Sequence, residues 1–322
     1  MKNNWYLNLM IVVLALSAFA FGVLVWRNDD AEKTYQITVV VDDSSDTRWV
    51  AFKEGLEKAA DDFPVVVNTI NTEHFYTPVK QEELILNEQE SMDALILQPQ
   101  DSELSAEFLE EVSKNTPLVL VESDVSMGVE NTDRYLSITA DDDALGAALA
   151  EELAKDTAFP RTLQVGILSG NQELTNMQTR LAACEKVLKK HNIEVIWELH
   201  DSKELSKAIV YQQRTKRANV ILALDDRTLE EAVDYVESVS FDIDIYGVGC
   251  SDANVFYLER GVISALIVPN EFQMGYEAVE KAVDMLKSPI RSVENSEINF
   301  YRIRTENIYE PENERMLFPL VQ

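Results

Sequence analysis

Short apolar runs alternate with helix-length amphipathic segments along residues 35–305, and this alternation restricts the fold more than any other feature. A first series of runs, rich in Val, Ile and Leu, occupies 35–41, 64–69, 93–97, 117–121 and 135–139. The runs are largely continuous in apolar character rather than alternating, which is typical of strands buried on both faces. Strands of this kind separated by helices predict a parallel sheet covered by helices on both sides.

A second series of the same kind follows the first. Its strands are predicted at 163–168, 194–198, 219–224, 243–247 and 263–268. Helices are predicted at about 77–90 and 102–114 in the first series, and at about 172–190, 203–216, 227–239, 252–259 and 271–287 afterwards. The segment 296–304 predicts one late strand, and the tail after Thr305 is predicted to be irregular. Two series in tandem predict two doubly wound lobes, whose ligands bind beyond the carboxyl ends of the strands.

The apolar stretch at residues 5–26 carries no charged side chain and is long enough to cross a bilayer as a helix. Tryptophans lie at both of its ends, where interfacial aromatic residues belong, and a lysine precedes it. This pattern predicts residues 1–4 in the cytoplasm, a single-pass anchor at 5–26, a linker at 27–34 and an extracytoplasmic binding domain in the cell envelope or outside the cell. The competing interpretation is a signal peptide cleaved near Ala20, but the apolar run continues past that point and favours the anchor.

Several function classes are disfavoured by composition and by missing motifs. The chain carries 57 acidic and 28 basic side chains, a net charge of −29, which repels phosphate backbones and disfavours a nucleic-acid partner. The sequence contains no G-x-G-x-x-G after the first strand, no P-loop and no G-x-S-x-G nucleophile motif. Its three histidines lack metal-ligand spacing. We therefore predict no cofactor, no metal and no catalytic residue, and the chain is not expected to be an enzyme.

Three smaller features have simple structural interpretations. The acidic triplet at 141–143 precedes a predicted helix and is interpreted as its N-terminal cap. Asp42 and Asp43 are assigned to a strand end and turn rather than to a ligand. Cys184 and Cys250 are far apart in sequence and are interpreted as two buried thiols, although a disulfide is chemically permitted outside the cytoplasm.

A set of motifs in sequence order resembles type I periplasmic binding proteins, particularly their ribose-binding branch. The first motif is VVVDDSSDTRWVAFKEGLEKAAD at 39–61, where a strand leads through a polar turn into a helix with the pattern K-x-G-x-x-x-x-A. The others are ALILQPQDSE at 94–103, PLVLVES at 117–123, ITADDDALGAALAEELA at 138–154, VGILSG at 165–170, TRLAACEKVL at 179–188, VILALDDRTLEEAV at 220–233, IYGVGCSDA at 245–253 and ALIVPNEFQMGYEAVEKAVDML at 265–286. The similarity covers residues 35 to about 305.

This resemblance implies a solute-binding protein whose two lobes are joined by three hinge crossings and close on a ligand, usually a sugar. The expected fold is α/β, with two doubly wound parallel-sheet lobes joined by a hinge and preceded by one transmembrane helix. The N-terminal lobe would comprise 34–138 and 270–297, and the C-terminal lobe 139–269 and 298–322. Binding would involve hinge closure without covalent chemistry.

The resemblance also assigns ligand contacts by position, in the turn after the first strand, at two later strand ends and on one helix. The assigned residues are Asp46, Arg48, Trp49, Glu122, Ser123, Arg180 and Asp225. Carboxylates and guanidinium groups would bind hydroxyl groups, and the Trp49 ring would cover the apolar face of a sugar. The competing interpretations place Trp49 in the helix core, pair Arg180 with an exposed glutamate, and make Glu122 and Asp225 helix caps.

Two positions depart from the pattern of sugar-binding relatives. Gly249 stands where an aspartate that grips hydroxyl groups is usual, and Pro269 stands where glutamine is common. Loss of these hydrogen-bonding groups makes a ribose-like ligand questionable.

Three functions are considered for a chain with this fold. A tethered receptor for a sugar or polyol would deliver its ligand to the permease of an ABC transporter, or would report occupancy to a membrane sensor histidine kinase. The alternative is an enzyme or a ligand-blind scaffold on the same fold, and Gly249 and Pro269 are the observations that favour the scaffold. A repressor of the lactose-repressor type is excluded, because an apolar span occupies the place of its basic DNA-binding headpiece.

Overall fold

The computed structural model describes residues 34–74, 77–125, 134–156, 162–288 and 294–317. The predicted anchor at 5–26 lies outside these residues. Among the helices in the described ranges, none combines the length and the apolar character that a membrane crossing needs.

The described chain alternates strands and helices as the sequence predicts. The strands are β1 (Tyr35–Val40), β2 (Val65–Thr69), β3 (Ala94–Leu97), β4 (Leu118–Val121), β5 (Tyr135–Ala140), β6 (Gln164–Ser169), β7 (Glu194–His200), β8 (Val220–Ala223), β9 (Asp244–Val248), β10 (Ile263–Pro269), β11 (Ser296–Ile298) and β12 (Phe300–Ile303). The helices are α1 (Val50–Asp62), α2 (Pro78–Glu88), α3 (Ala106–Ser113), α4 (Asp142–Lys155), α5 (Thr175–Lys190), α6 (Leu205–Thr215), α7 (Asp226–Ser238), α8 (Asp252–Glu259), α9 (Glu271–Lys287) and α10 (Pro311–Leu317). The last helix lies in the tail that was predicted to be irregular, so that prediction was wrong.

These strands form two six-stranded sheets. The first sheet has the order β11-β5-β4-β3-β1-β2, and its strand pairs are all parallel. The second has the order β12-β10-β9-β8-β6-β7 and is parallel except for its edge strand β12, which runs antiparallel to β10. Every residue of β3, β4 and β8 is buried, as expected for strands covered on both faces. The predicted α/β fold with two parallel-sheet lobes is confirmed.

The chain passes from one sheet to the other at 140–142, 269–271 and 298–300. The third passage corrects the prediction of a single late strand at 296–304. Ser296–Ile298 pairs with β5 in the first sheet, whereas Phe300–Ile303 pairs with β10 in the second. Asn299 lies between them, and its carbonyl accepts a hydrogen bond from the backbone N–H of Asn270 at 2.9 Å, which ties the second and third passages together.

Glycines allow one pair of helices to pack closely in each lobe. A Cβ added to Gly55 on α1 would lie 2.1 Å from the carbonyl oxygen of Phe272 on α9, and one added to Gly275 would lie 2.1 Å from that of Phe52. In the second lobe, a Cβ on Gly146 would lie 2.0 Å from the carbonyl oxygen of Arg180. Helix α9 therefore packs on the first sheet although it follows a strand of the second.

Two further predictions have definite outcomes. Asp141 caps α4, because its carboxylate accepts a hydrogen bond from the N–H of Ala144 at 2.9 Å, which confirms for Asp141 the capping role predicted for the acidic triplet. Both cysteines are free thiols, and the prediction that they are buried is confirmed for Cys184 on α5, whereas Cys250 after β9 is only partly buried.

Candidate functional site

A cavity of about 80 Å³ lies between the two lobes, beyond the carboxyl ends of the strands. Both lobes contribute charged side chains to its wall. The carboxyl groups come from Asp42, Glu122, Asp201, Asp225, Asp226 and Glu271, and the guanidinium groups come from Arg48, Arg180 and Arg227. An apolar portion is formed by Leu174, Met177, Val248, Pro269 and Met274. This is the position at which doubly wound sheets bind ligands.

The turn after β1 brings Arg48 to the cavity and sends Trp49 into the core. The carbonyl of Asp42 accepts hydrogen bonds from Nε1 of Trp49 at 2.9 Å and from Nη2 of Arg48 at 3.0 Å. Trp49 is 1% exposed and packs edge-on against Phe52, with ring centroids 5.3 Å apart. The structure therefore places Trp49 in the core of the first lobe and not on the cavity wall.

Asp46 has a local structural contact in the same turn. Its carboxylate accepts a hydrogen bond from the backbone N–H of Arg48 at 3.0 Å and caps the single 3₁₀ turn Thr47–Trp49. It is not among the lining residues of the cavity in the described structure. The capped turn fixes Arg48, whose guanidinium carbon lies 4.9 Å from the centroid of the Trp49 ring.

Arg48 is a buried cation surrounded by carboxylates. Burial alone disfavours its charge, but Glu122, Asp46, Asp42 and Asp225 more than compensate, so that its pKa is raised. Its Nε has no hydrogen-bond partner among the described residues. Arg48 is thus a permanently charged donor, held on the cavity wall with a free N–H.

Glu122 reaches the cavity from the end of β4 through an unusual backbone conformation. Its φ angle is +64°, in the left-handed region that non-glycine residues rarely adopt. Its carboxylate accepts a hydrogen bond from the amide of Gln98. Burial raises its pKa, although Arg48 and Arg180 oppose the shift. A strained residue at a cavity wall is a common mark of a functional site.

Ser123, beside Glu122, lies in a contact between the lobes rather than on the cavity wall. Its hydroxyl is fully buried, 3.1 Å from Oγ1 of Thr175 in the second lobe. The backbone N–H of Ser102 donates to the carbonyl of Glu173 at 2.9 Å, and the amide of Asn171 donates to the carbonyl of Gln100 at 2.8 Å. These hydrogen bonds, hereafter the interlobe contact, hold the lobes together at one edge of the cavity.

Arg180 lies at the cavity, but its ion-pair partner differs from the competing interpretation. Its Nε and Nη2 donate to Oδ1 of Asp142 at 3.0 and 2.7 Å, and its Nη1 donates to the carbonyl of Leu224 at 2.6 Å. Asp142 is buried, so the exposed-glutamate interpretation is wrong. Burial raises the pKa of Asp142 even though Arg180 opposes the shift.

The end of β8 supplies two adjacent carboxylates. Asp225 lines the cavity and also caps α7, where its Oδ1 accepts a hydrogen bond from the N–H of Thr228 at 2.8 Å. Asp226 accepts hydrogen bonds from the N–H groups of Cys250 at 3.1 Å and Ser251 at 2.8 Å, and from the amide of Asn254 at 2.8 Å. The cap interpretation and the ligand prediction for Asp225 are therefore compatible.

Sequence reasoning missed a bridge across the cleft. Nδ1 of His74 is hydrogen-bonded to Oδ2 of Asp42, and Nε2 lies 3.6 Å from Oδ2 of Asp201 in the other lobe. Arg227 donates from Nε to Oδ1 of the same Asp201 at 3.1 Å. Burial raises the pKa of Asp201, while Arg227 opposes the shift. The assignment of Asp42 to a turn was incomplete, because its side chain also lines the cavity.

One group in the described part of the chain has the spacing of metal ligands. Asp226, Cys250 and Glu271 each offer one ligand atom, and these atoms lie within 4.8 Å of one another. Asp226 and Glu271 line the cavity. The sequence gives no indication of this group, since its members are widely separated along the chain.

Comparison with known proteins identifies the fold. A family model described as a periplasmic binding protein domain matches residues 37–289. No curated protein sequence matches the chain significantly.

Solved structures match nearly the whole described chain. A carbohydrate transporter solute-binding protein from Agrobacterium radiobacter, in complex with D-arabinose, aligns with a TM-score of 0.80 and 16% identity over 89% of this chain and 100% of the other. The Caulobacter myo-inositol-binding protein, bound to myo-inositol, aligns with a TM-score of 0.75 and 18% identity over 88% of this chain and 98% of the other. A chain of the XylFII–LytSN complex aligns with a TM-score of 0.69 and 18% identity over 85% of this chain and 99% of the other. At these identities the likeness establishes the fold.

Proposed function

The chain belongs to the periplasmic binding protein family, whose model spans residues 37–289, and on this premise we propose that it is a receptor for a small sugar-like polyol. The ligand would be held between the two lobes by hinge closure, without covalent chemistry. The members of this family that the structural comparisons describe are binding proteins, and the chain is accordingly proposed to be a receptor rather than an enzyme.

The observation that carries this proposal is the composition of the cavity wall. Carboxylates and guanidinium groups from both lobes surround it, and such groups form charge-assisted hydrogen bonds with hydroxyl groups. Apolar side chains such as Met177 and Met274 supply a surface for the C–H groups of the ligand. Two similar structures contain D-arabinose and myo-inositol, both polyols, which supports this ligand class.

Among the residues assigned from the sequence, Arg48, Glu122, Arg180 and Asp225 are proposed to touch the ligand, because each lines the cavity. Trp49, Asp46 and Ser123 would act through their neighbours. Trp49 supports Arg48 from the core, Asp46 caps the turn, and Ser123 belongs to the interlobe contact.

We also propose that the receptor is tethered to the membrane by residues 5–26, with its N-terminus in the cytoplasm. A tether would restrict the binding domain to nearby membrane proteins and raise their effective concentration. The proposed partner is the permease of an ABC transporter or a sensor histidine kinase. The likeness to a chain of the XylFII–LytSN complex supports a role in which the fold assembles with a second protein.

A second candidate function is a ligand-blind scaffold. Two cavity guanidinium groups are already engaged by carboxylates, Arg180 by Asp142 and Arg227 by Asp201. Arg48 donates to the carbonyl of Asp42. These internal contacts compete with a ligand for the same donors, which favours a scaffold over a high-affinity binder.

Ligand titration of the purified full chain in detergent separates the two functions. Monosaccharides and inositols are screened by thermal shift, and hits are measured by calorimetry. A ligand at one hundred times its Kd stabilises the folded state by about 2.7 kcal/mol, which is an easily measured increase in Tm. Arg48→Ala should abolish the shift, whereas Arg214→Ala, at an exposed position on α6, should retain it. Absence of any shift across the panel would favour the scaffold.

A further inference from the structure

Two carboxyl groups and a thiol meet at one side of the cavity. Asp226 is the first residue of α7, Cys250 follows β9, and Glu271 is the first residue of α9. One ligand atom from each lies within 4.8 Å of the other two. Three potentially anionic groups in so small a volume repel one another unless protons or a cation neutralise them.

Glu271 provides an independent sign of an occupant. The residue is 6% exposed, and its carboxyl group shares a side-chain hydrogen bond with the Cys250 thiol, but its Oε2 has no hydrogen-bond partner among the described residues. Buried carboxylate oxygens normally have partners, because leaving one unpaired costs the free energy of its lost hydration. Since Glu271 also lines the cavity, a ligand entering there can supply the missing interaction.

The Asp226 carboxylate accepts hydrogen bonds from several neighbouring N–H groups, as metal-binding carboxylates commonly do. The N–H groups of Cys250 and Ser251 and the amide of Asn254 all donate to it, at distances of 2.8–3.1 Å. Such donors orient a ligating carboxylate in known metal sites. Gly249 leaves room for this arrangement, because a Cβ there would lie 2.2 Å from Oδ1 of Asp226.

We propose that Asp226, Cys250 and Glu271 form a binding site for a thiophilic divalent cation of the Zn²⁺ class at the base of the cleft. A sulfur ligand selects Zn²⁺ over Mg²⁺ and Ca²⁺, which prefer oxygen alone. Zn–O and Zn–S bonds of about 2.0–2.3 Å place tetrahedral ligand atoms about 3.3–3.8 Å apart. The observed separations of up to 4.8 Å thus require side-chain movements of about 1 Å.

The site would keep one coordination position open. Three protein ligands leave the fourth tetrahedral position to water or to an oxygen of a bound solute. Because Asp226 and Glu271 line the cavity, a polyol bound there would lie beside the cation.

The proposed site lies beside one of the passages between the lobes. Asp226, Cys250 and Glu271 follow the neighbouring strands β8, β9 and β10 of the second sheet, and Glu271 begins α9, which packs on the first sheet. The proposal goes beyond solute capture, since it adds a metal ion to the wall of the proposed polyol site.

The test uses the purified full chain in detergent, treated with a chelator and then titrated with Zn²⁺ alone by calorimetry. One saturable Zn²⁺ per chain is expected, with affinity lowered at least tenfold by Cys250→Ser and by Glu271→Gln. Co²⁺ in place of Zn²⁺ should give a thiolate-to-cobalt charge-transfer band that Cys250→Ser removes. Cys184→Ala is the matched control, because Cys184 is the fully buried thiol on α5 and should leave both signals unchanged.

Circular dichroism verifies that each variant is folded. If the Cys250→Ser variant does not fold, the comparison between wild type and Glu271→Gln decides the test. The absence of saturable Zn²⁺ binding would overturn the proposal, as would binding that neither substitution weakens, which would indicate scattered surface carboxylates. These measurements contain no polyol. The two tests are therefore independent. A polyol screen without hits does not contradict the proposed metal site, and a titration without Zn²⁺ binding does not contradict polyol binding.

Discussion

The carboxylate of Asp226 occupies the space in which a side chain at Gly249 would begin. A Cβ on Gly249 would lie 2.2 Å from Oδ1 of Asp226, and the φ angle of Gly249 is +150°. From sequence, Gly249 marks the loss of an aspartate that relatives use to grip hydroxyl groups. The structure shows that a carboxylate from the end of the neighbouring strand stands against that position. The absence of a side chain at Gly249 therefore leaves space for the Asp226 carboxylate, in addition to removing a group that could contact a ligand.

Substitution of Gly249 should destabilise the fold through both strain and steric conflict. We expect Gly249→Ala to lower the free energy of unfolding by about 2 kcal/mol or more, since φ is unfavourable and the Cβ clashes with a hydrogen-bonded carboxylate. Gly261→Ala is the matched control, because its φ of +72° is also positive but nothing lies within 4 Å of its Cβ. Urea denaturation of both variants should give the larger loss at position 249. Equal losses would contradict a role for Asp226.

The buried pair of Arg180 and Asp142 supports a second prediction. Asp142→Asn leaves the guanidinium of Arg180 without its carboxylate, and breaking a buried ion pair from one side typically costs about 3–5 kcal/mol. Denaturant unfolding should show a loss of this order. Removing the exposed Lys58–Asp62 pair by Asp62→Asn serves as the control and should leave the unfolding midpoint almost unchanged. A small effect at Asp142 would mean that Arg180 is stabilised by other groups, such as the neighbouring carboxylate of Glu122.

The fold could be predicted from the sequence because each strand and helix is indicated by a local pattern that recurs along the chain. Apolar runs such as 117–121 indicate buried parallel strands wherever they occur, and the structure places Leu118–Val121 there. The late segment 296–304 was predicted as one strand because its residue types are strand-like throughout. The segment forms two strands because Ser296–Ile298 pairs with β5 in the first sheet and Phe300–Ile303 pairs with β10 in the second, a difference that depends on tertiary structure.

The cavity was less predictable, because side-chain direction at a strand end depends on the turn that follows. Trp49 has the residue type of a stacking platform, but its Nε1 is turned inward onto the carbonyl of Asp42. Asp201 was missed because β7 was predicted to end near residue 198, whereas it continues to His200. His74 comes from a loop after β2, and nothing in its neighbourhood in sequence indicates a bridge to Asp201.

The interlobe contact leads to a third prediction. Oγ1 of Thr175 lies 3.1 Å from the hydroxyl of Ser123 and 3.2 Å from the carbonyl of Asp124. Thr175→Val keeps the side-chain shape and removes these hydrogen bonds, so the lobe arrangement of this structure loses stabilisation relative to one in which the lobes are farther apart. Small-angle scattering should show a larger radius of gyration, and any polyol identified by the screen should bind more weakly.

Thr215→Val is the matched control for this prediction, because the Thr215 hydroxyl donates within its own helix region to the carbonyl of Tyr211. It should leave the radius of gyration unchanged. Identical scattering from Thr175→Val and the wild-type protein would show that the interlobe contact does not hold the lobes together.

The raised pKa of Glu122 predicts a pH dependence of stability. Burial raises this pKa above its ordinary value of 4.5, against the opposing effects of Arg48 and Arg180. As pH rises, the unfolded chain therefore loses the Glu122 proton before the folded protein does. The folded state then holds more protons, so this residue's contribution to the free energy of unfolding decreases with increasing pH.

Glu122→Gln and Glu122→Ala test this prediction by removing the ionisable group in two ways. Denaturant unfolding of the wild-type protein and both variants is measured as a function of pH upward from about 4, just below the ordinary pKa of a glutamate. The stability of the wild type relative to each variant should decline from about pH 4.5 and level off above the folded-state pKa of Glu122. The two variants should differ by a constant offset, because glutamine keeps a hydrogen-bonding group that alanine lacks. A relative stability that increases with pH would show that Arg48 and Arg180 outweigh burial and lower the pKa of Glu122.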